Sequence, residues 1–274
     1  ARVLPAGIGQ VNRKGLDFYA RLVDALLEHG IAPNITLFHW DLPAALDERG
    51  GWLNRDSAQW FAEYAQVMFR ALDDRVPLWT TLNEPWVVVD GGYLHGTLAP
   101  GHRDLREAPV VAHNLMRASG AGIQAYRALG RHEIGVVFNI EPKYPASESI
   151  EDRAAARRAH VYMNEQFADP ALLGRYPEEL ADLYDEAWPH FPAEDFALMR
   201  QRPDFVGINY YTRAVVRHDA ARIPTRATPV RQPAGLYTET DWEVYEQGLI
   251  DTLRWFKQRY GDLPLYITEN GAAF

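Results

Sequence analysis

Two glutamates far apart in the chain close short apolar runs in the same way: Glu84 in T-L-N-E-P (81–85) and Glu269 in I-T-E-N-G (267–271). Each stands beside an asparagine, Asn83 or Asn270, and each is followed by a strand breaker, Pro85 or Gly271. A strand that ends in a carboxylate and then stops places that acid at the rim of a sheet, where α/β proteins hold their ligands. A single acid in that position ordinarily caps a helix or joins a surface ion pair. Two in matched settings point to paired carboxylate chemistry. Cleavage of a glycosidic bond needs such a pair, one acid to protonate the leaving oxygen and a second carboxylate across the sugar ring.

A set of sugar-type binding groups accompanies the acids. It comprises His39 and Trp40 in F-H-W-D-L-P (38–43), Asn83 and Trp86 around the first acid, and Asn209, Tyr210 and Tyr211 in G-I-N-Y-Y-T (207–212). Sugars present hydroxyls on their edges and weakly apolar faces, so pockets for them combine amide, imidazole and phenol groups with aromatic platforms. Eight tryptophans and fourteen tyrosines exceed what one site needs. Trp60, Tyr64 and Trp255, on helical stretches, read as core packing.

These groups require a scaffold that brings distant strand ends together, and the hydrophobic pattern supplies one. Residues 12–30 carry Leu16, Tyr19, Ala20, Val23, Leu26 and Leu27 at helical spacing, with Asn12 as N-cap and Gly30 as stop. A strand follows at 34–39. A second helix opens at Asp56 with Gln59 as a capping box and carries Trp60, Tyr64, Val67, Met68 and Ala71. Further strands are expected at 78–82, 134–140, 205–210 and 265–268, and helices near 109–129, 151–167, 178–188 and 245–260. Strands alternating with helices imply parallel βα units, hence an α/β fold, here as one domain over 1–274. The stretch 223–235, rich in Pro and Thr, is expected to be a long loop beside the active-site rim.

Composition excludes other classes. The formal net charge is −9, with no basic concentration, so nucleic acid and anionic membrane are not expected partners. No apolar run approaches the roughly 20 residues that cross a bilayer. The chain has no cysteine, which removes disulfides and thiolate metal sites and fits a reducing cytoplasm. The nine histidines show no metal-ligand spacing, so neither metal nor cofactor is expected and the partner is a small-molecule substrate. Gly120, Gly122 and Ala125 match a dinucleotide-binding G-x-G-x-x-A, but they follow helical sequence and read as a small-residue helix face. Asn34-Ile35-Thr36 fits a glycosylation sequon inside a strand.

F-H-W-D-L-P (38–43), T-L-N-E-P-W (81–86), V-G-I-N-Y-Y-T (206–212) and Y-I-T-E-N-G-A (266–272), in that order, resemble the signature of glycoside hydrolase family 1, the β-glucosidase family. N-R-K-G-L-D-F-Y (12–19), Y-L-H-G-T-L-A-P-G (93–101) and W-E-V-Y-E-Q-G-L (242–249) extend the resemblance over essentially the whole chain. It implies a (β/α)₈ TIM barrel and a retaining β-glycosidase acting on β-glucosides or related β-glycosides. It further implies Glu84 as general acid/base, Glu269 as nucleophile, His39, Trp40, Asn83 and Asn209 at the sugar, and Tyr211 hydrogen-bonded to the nucleophile. A retaining pair has its carboxyls about 5 to 5.5 Å apart. An acid rather than an amide at position 84 implies O-glycosides.

Against that family the sequence offers about strands 3 to 7 of the eight, so the barrel is expected to be incomplete in this chain. Five parallel strands left open would expose two unpaired edges. A rival reading follows, a non-catalytic glycan-binding member or an inactive fragment of the same fold.

Overall fold

The computed structural model describes residues 1–274. Eight strands form: β1 (Asn34–Phe38), β2 (Leu78–Asn83), β3 (Glu133–Asn139), β4 (Lys143–Pro145), β5 (Phe205–Asn209), β6 (Ala214–His218), β7 (Ala227–Pro229) and β8 (Leu265–Glu269). The five expected from the sequence make one sheet of order β1-β2-β3-β5-β8, parallel at every pairing. Each strand is joined to its neighbour through a helical crossover. The sheet stays open, since β1 and β8 each pair with one neighbour only.

Position in the sheet sets burial. Every residue of β5 is buried, as are all residues of β3 after Glu133, because helices and neighbouring strands cover both faces. At the β8 edge Tyr266 and Ile267 are exposed.

The helices Ser57–Leu72 and Glu107–Leu129 pack on each other and on this sheet. Phe61, Ala65, Met68, Phe69 and Leu72 line the buried face of the first at a spacing of three or four residues. Its partner approaches closely because its face is small. A β-carbon at Gly120 would stand 2.0 Å from the Leu198 carbonyl oxygen, and one at Gly122 would stand 2.9 Å from the Phe61 ring. The G-x-G motif is thus a packing surface, as expected. The central side chains are large: Trp79, Phe69 and Tyr126 meet edge to face with ring centroids 4.8 to 4.9 Å apart. Burying one such side chain fully contributes roughly 1.5–3 kcal/mol. Asp73 ties their polar atoms down, accepting from Trp79 Nε1 at 3.0 Å and Tyr126 OH at 2.8 Å.

Three expectations need correction. Asn12 and Asp56 stand where the helices Arg13–Glu28 and Ser57–Leu72 begin, but neither caps with its side chain. Asn12 Nδ2 donates instead to the Arg2 carbonyl at 3.0 Å. The stretch 223–235 is not all loop, since β7 lies within it, antiparallel to β6. With β4, which pairs parallel to β6, these two form a second, three-stranded sheet. No helix is long and apolar enough to cross a membrane.

Candidate active site

Parallel strands bring their carboxyl ends to one rim, and the candidate residues sit there. Asn83 closes β2 and Glu84 follows it; Asn139 closes β3, Asn209 closes β5, and Glu269 closes β8. The ladders slip beside both acids, between Thr80 and Asn83 on β2 and between Ile208 and Asn209 where β5 meets β8. Such irregularities re-aim side chains at the end of a strand. Glu84 itself adopts φ +48°, a left-handed turn that leads into the helix Pro85–Val89. Trp40 has φ +81° and is held there by its indole, whose Nε1 donates to the Asn83 carbonyl at 3.0 Å. For a bulky side chain that backbone conformation is costly and marks a site.

Glu84 and Glu269 share one cleft of about 560 Å³, and Trp40, Trp86, Asn209 and Tyr211 line it with them. Asn209 is the hub. Its Nδ2 donates to Glu84 Oε1 at 2.6 Å and to Asn83 Oδ1 at 3.1 Å, while its Oδ1 accepts from Thr268 Oγ1 at 2.6 Å. Thr268 precedes Glu269, so one buried amide links the strand ends that carry the two acids. Tyr211 OH donates to Glu269 Oε2. Burial, then that bond to a carboxylate, push the Tyr211 phenol above its ordinary range.

Glu84 is 6% exposed. Its pKa is pushed up to about 6, chiefly by burial; the Asn209 hydrogen bond pulls it down and the charge of Glu269 pushes it up. The pair therefore consists of one carboxyl poised to carry a proton near neutrality and one carboxylate held by a phenol. That arrangement can protonate a leaving oxygen while a second oxygen attacks carbon.

Of the seven residues that the family resemblance implies, the structure brings five around the cleft, Glu84, Glu269, Trp40, Asn209 and Tyr211, and Trp86 joins them. Asn83 stands behind it, buried and bonded to Asn209. His39 is exposed and opens onto a different hollow of about 590 Å³ beside β1, with only a 3.4 Å contact from its Nε2 to Asn83 Nδ2. Sequence reading missed Asn139, Glu141, Lys143, Met163 and Trp242, which complete the cleft wall. Asn139 had the same signal as Asn83 and Asn209, an asparagine ending an apolar strand. The residue is 8% exposed and its amide makes no hydrogen bond within the protein, so it is free for a ligand. The others had no local signal.

The model of the family described as glycosyl hydrolase family 1 matches residues 1–274. A 1,4-beta-D-glucan glucohydrolase of Thermotoga neapolitana is 44% identical over 275 residues, covering 100% of this chain and 64% of its own length. The beta-glucosidase A of Thermotoga maritima is also 44% identical, with 100% of this chain and 61% of its own length covered. Among solved structures, a Thermotoga maritima family 1 glycoside hydrolase complexed with a cyclophellitol analogue superposes with a TM-score of 0.95 at 44% identity. That alignment covers 100% of this chain and 62% of the other. The chain thus spans somewhat over three fifths of the length of these relatives, and its open sheet is part of their TIM barrel. Motif order, strand-end geometry and a family match over residues 1–274 agree: the chain belongs to glycosyl hydrolase family 1.

Proposed function

We propose that this chain carries the catalytic pair of a retaining β-glycosidase that hydrolyses β-glucosides or related β-glycosides by double displacement. Glu269 attacks the anomeric carbon while Glu84 gives its proton to the aglycone oxygen, so the glycosidic bond breaks as a glycosyl ester forms. Ester formation removes the negative charge of Glu269, and the pKa of Glu84 falls. Glu84, now a carboxylate, takes a proton from water as that water attacks the same carbon and releases Glu269. Tyr211 holds the nucleophile in line, and Asn209 fixes Glu84.

The observation that carries this reading is the unlike setting of two carboxyls in one cleft, with Glu84 raised to about 6. At that value roughly one molecule in ten is protonated at pH 7, against about one in 500 at an ordinary glutamate pKa. The names of the family relatives agree with it.

A second reading, a glycan binder without turnover, draws on the lining of the cleft, where Trp40, Trp86 and Asn209 could hold a sugar whether or not the acids react. Turnover of an aryl β-glucoside, with Glu84→Gln and Glu269→Gln as controls, decides. Release of the phenol that is lost in Glu269→Gln supports hydrolysis. Binding of a glucose disaccharide with no release at all supports the second reading.

A further inference from the structure

A second hollow, of about 350 Å³, adjoins the cleft and shares with it the walls Trp86, Lys143, Met163 and Pro229. The small sheet builds one side of it through β4, β6 and β7. The other side comes from two π-helical turns, Asp90–Leu94 and Val161–Glu165, which meet where Tyr162 OH donates to Asp90 Oδ1 at 2.7 Å. Such turns insert a residue into a helix and recur at functional sites.

The hollow is dressed for a polyhydroxylated guest. Asp90 is mostly buried, and its Oδ2 accepts no hydrogen bond from the protein. Lys143 has a side chain only 9% exposed; its Nζ is paired with Glu141 alone and keeps donors to spare. His95 Nε2 stands 3.7 Å from Asp90 Oδ1, at the rim. Trp86, Met163 and Pro224 supply apolar faces. A carboxylate oxygen and an ammonium with unused capacity, set between apolar walls, match a sugar ring that both donates and accepts. A flat apolar aglycone would leave the free Asp90 oxygen and the spare Lys143 donors without partners.

We propose that this hollow binds the second sugar on the leaving-group side of the scissile bond, with Asp90 and Lys143 as its hydrogen-bonding groups. The substrate class is then a β-linked oligosaccharide of three or more units, in preference to a disaccharide. The inference rests on the hydrolase reading above, and its test separates the two. The specificity constant kcat/KM is measured for an aryl β-glucoside and for the β-1,4-linked di- and trisaccharides of glucose. The unmodified chain is compared with Asp90→Asn and Lys143→Met.

The expected result is a trisaccharide preference that falls about tenfold in Asp90→Asn, the loss typical of one hydrogen bond to a charged group. Aryl glucoside turnover by that variant stays unchanged, which also shows that it folds. Lys143→Met lowers the same tri-to-disaccharide ratio. If aryl glucoside is turned over but the ratio is near one, or neither variant moves it, the second-sugar site is refuted while the hydrolase reading stands. If no glycoside is turned over, the hydrolase reading falls and takes this inference with it.

Discussion

The two catalytic candidates are one residue type in unlike surroundings. Glu84 directly follows β2 and is buried, with its oxygen fixed by Asn209. Glu269 ends β8 and has a phenol for a partner. A group that must hold a proton near neutrality gains from a dry interior, because burial penalises its charge. A group that must attack as an anion is better served by a donated hydrogen bond. Two chemical behaviours come from one residue type through what each carboxyl touches and the depth at which Glu84 lies.

That contrast is broken most severely at the nucleophile. Glu269→Gln removes the attacking anion and has no substitute, so kcat should fall on the order of 10⁴-fold or more. Single-turnover assay with an aryl β-glucoside and mass detection of the glycosyl-enzyme measure it. An unchanged rate would show that the cleft does not use Glu269.

Glu84→Gln strikes the other side of the comparison and should depend on the leaving group. Loss of a general acid typically costs about 10²–10⁴-fold. An acidic phenol departs without protonation, so the bond-breaking step should suffer less for such aryl glucosides than for a disaccharide. In the parent chain kcat/KM should fall as pH rises through about 6, because Glu84 must be protonated to act. The Gln variant should lack that limb. Tyr211→Phe has a smaller expected effect. It deletes one hydrogen bond to a carboxylate, about 10- to 100-fold in kcat/KM with little loss of stability, since the ring stays packed near Trp242.

The same contrast of depth explains what could be read in advance. All five strands of the main sheet were legible, because burial on both faces makes apolar runs such as I-G-V-V-F-N-I that announce themselves. The acids were legible because each ends such a run. β4, β6 and β7 were not: K-Y-P and A-T-P are three residues each without periodicity, A-V-V-R-H of β6 is a short run, and all three are strands because they pair with one another. Lys143 and Trp242 escaped for the same reason, as their place in the cleft wall is set by tertiary pairing. The side-chain cap failed at Asn12 because its amide bonds the Arg2 carbonyl instead, a partner that local sequence does not rank, and nothing in the structure explains the missing cap at Asp56. His39 follows β1 with its ring over a hollow of its own, a placement that its motif does not announce.

The last consequence of depth concerns stability. With a folded pKa near 6 and an unfolded value of about 4.5, the native chain holds the Glu84 proton more tightly than the unfolded one. Stability from this group is therefore complete below pH 4.5, declines as pH rises toward 6, and is gone above. The difference of about 1.5 units corresponds to about 2 kcal/mol. An amide has no charge to bury, so Glu84→Gln should gain about that much relative to the parent between pH 4 and pH 8, while losing activity. Urea unfolding of the parent and of Glu84→Gln at the two pH values makes the comparison. A Glu84→Gln advantage that stays constant with pH would mean that the carboxyl is not held in the dry setting on which its role as proton donor depends.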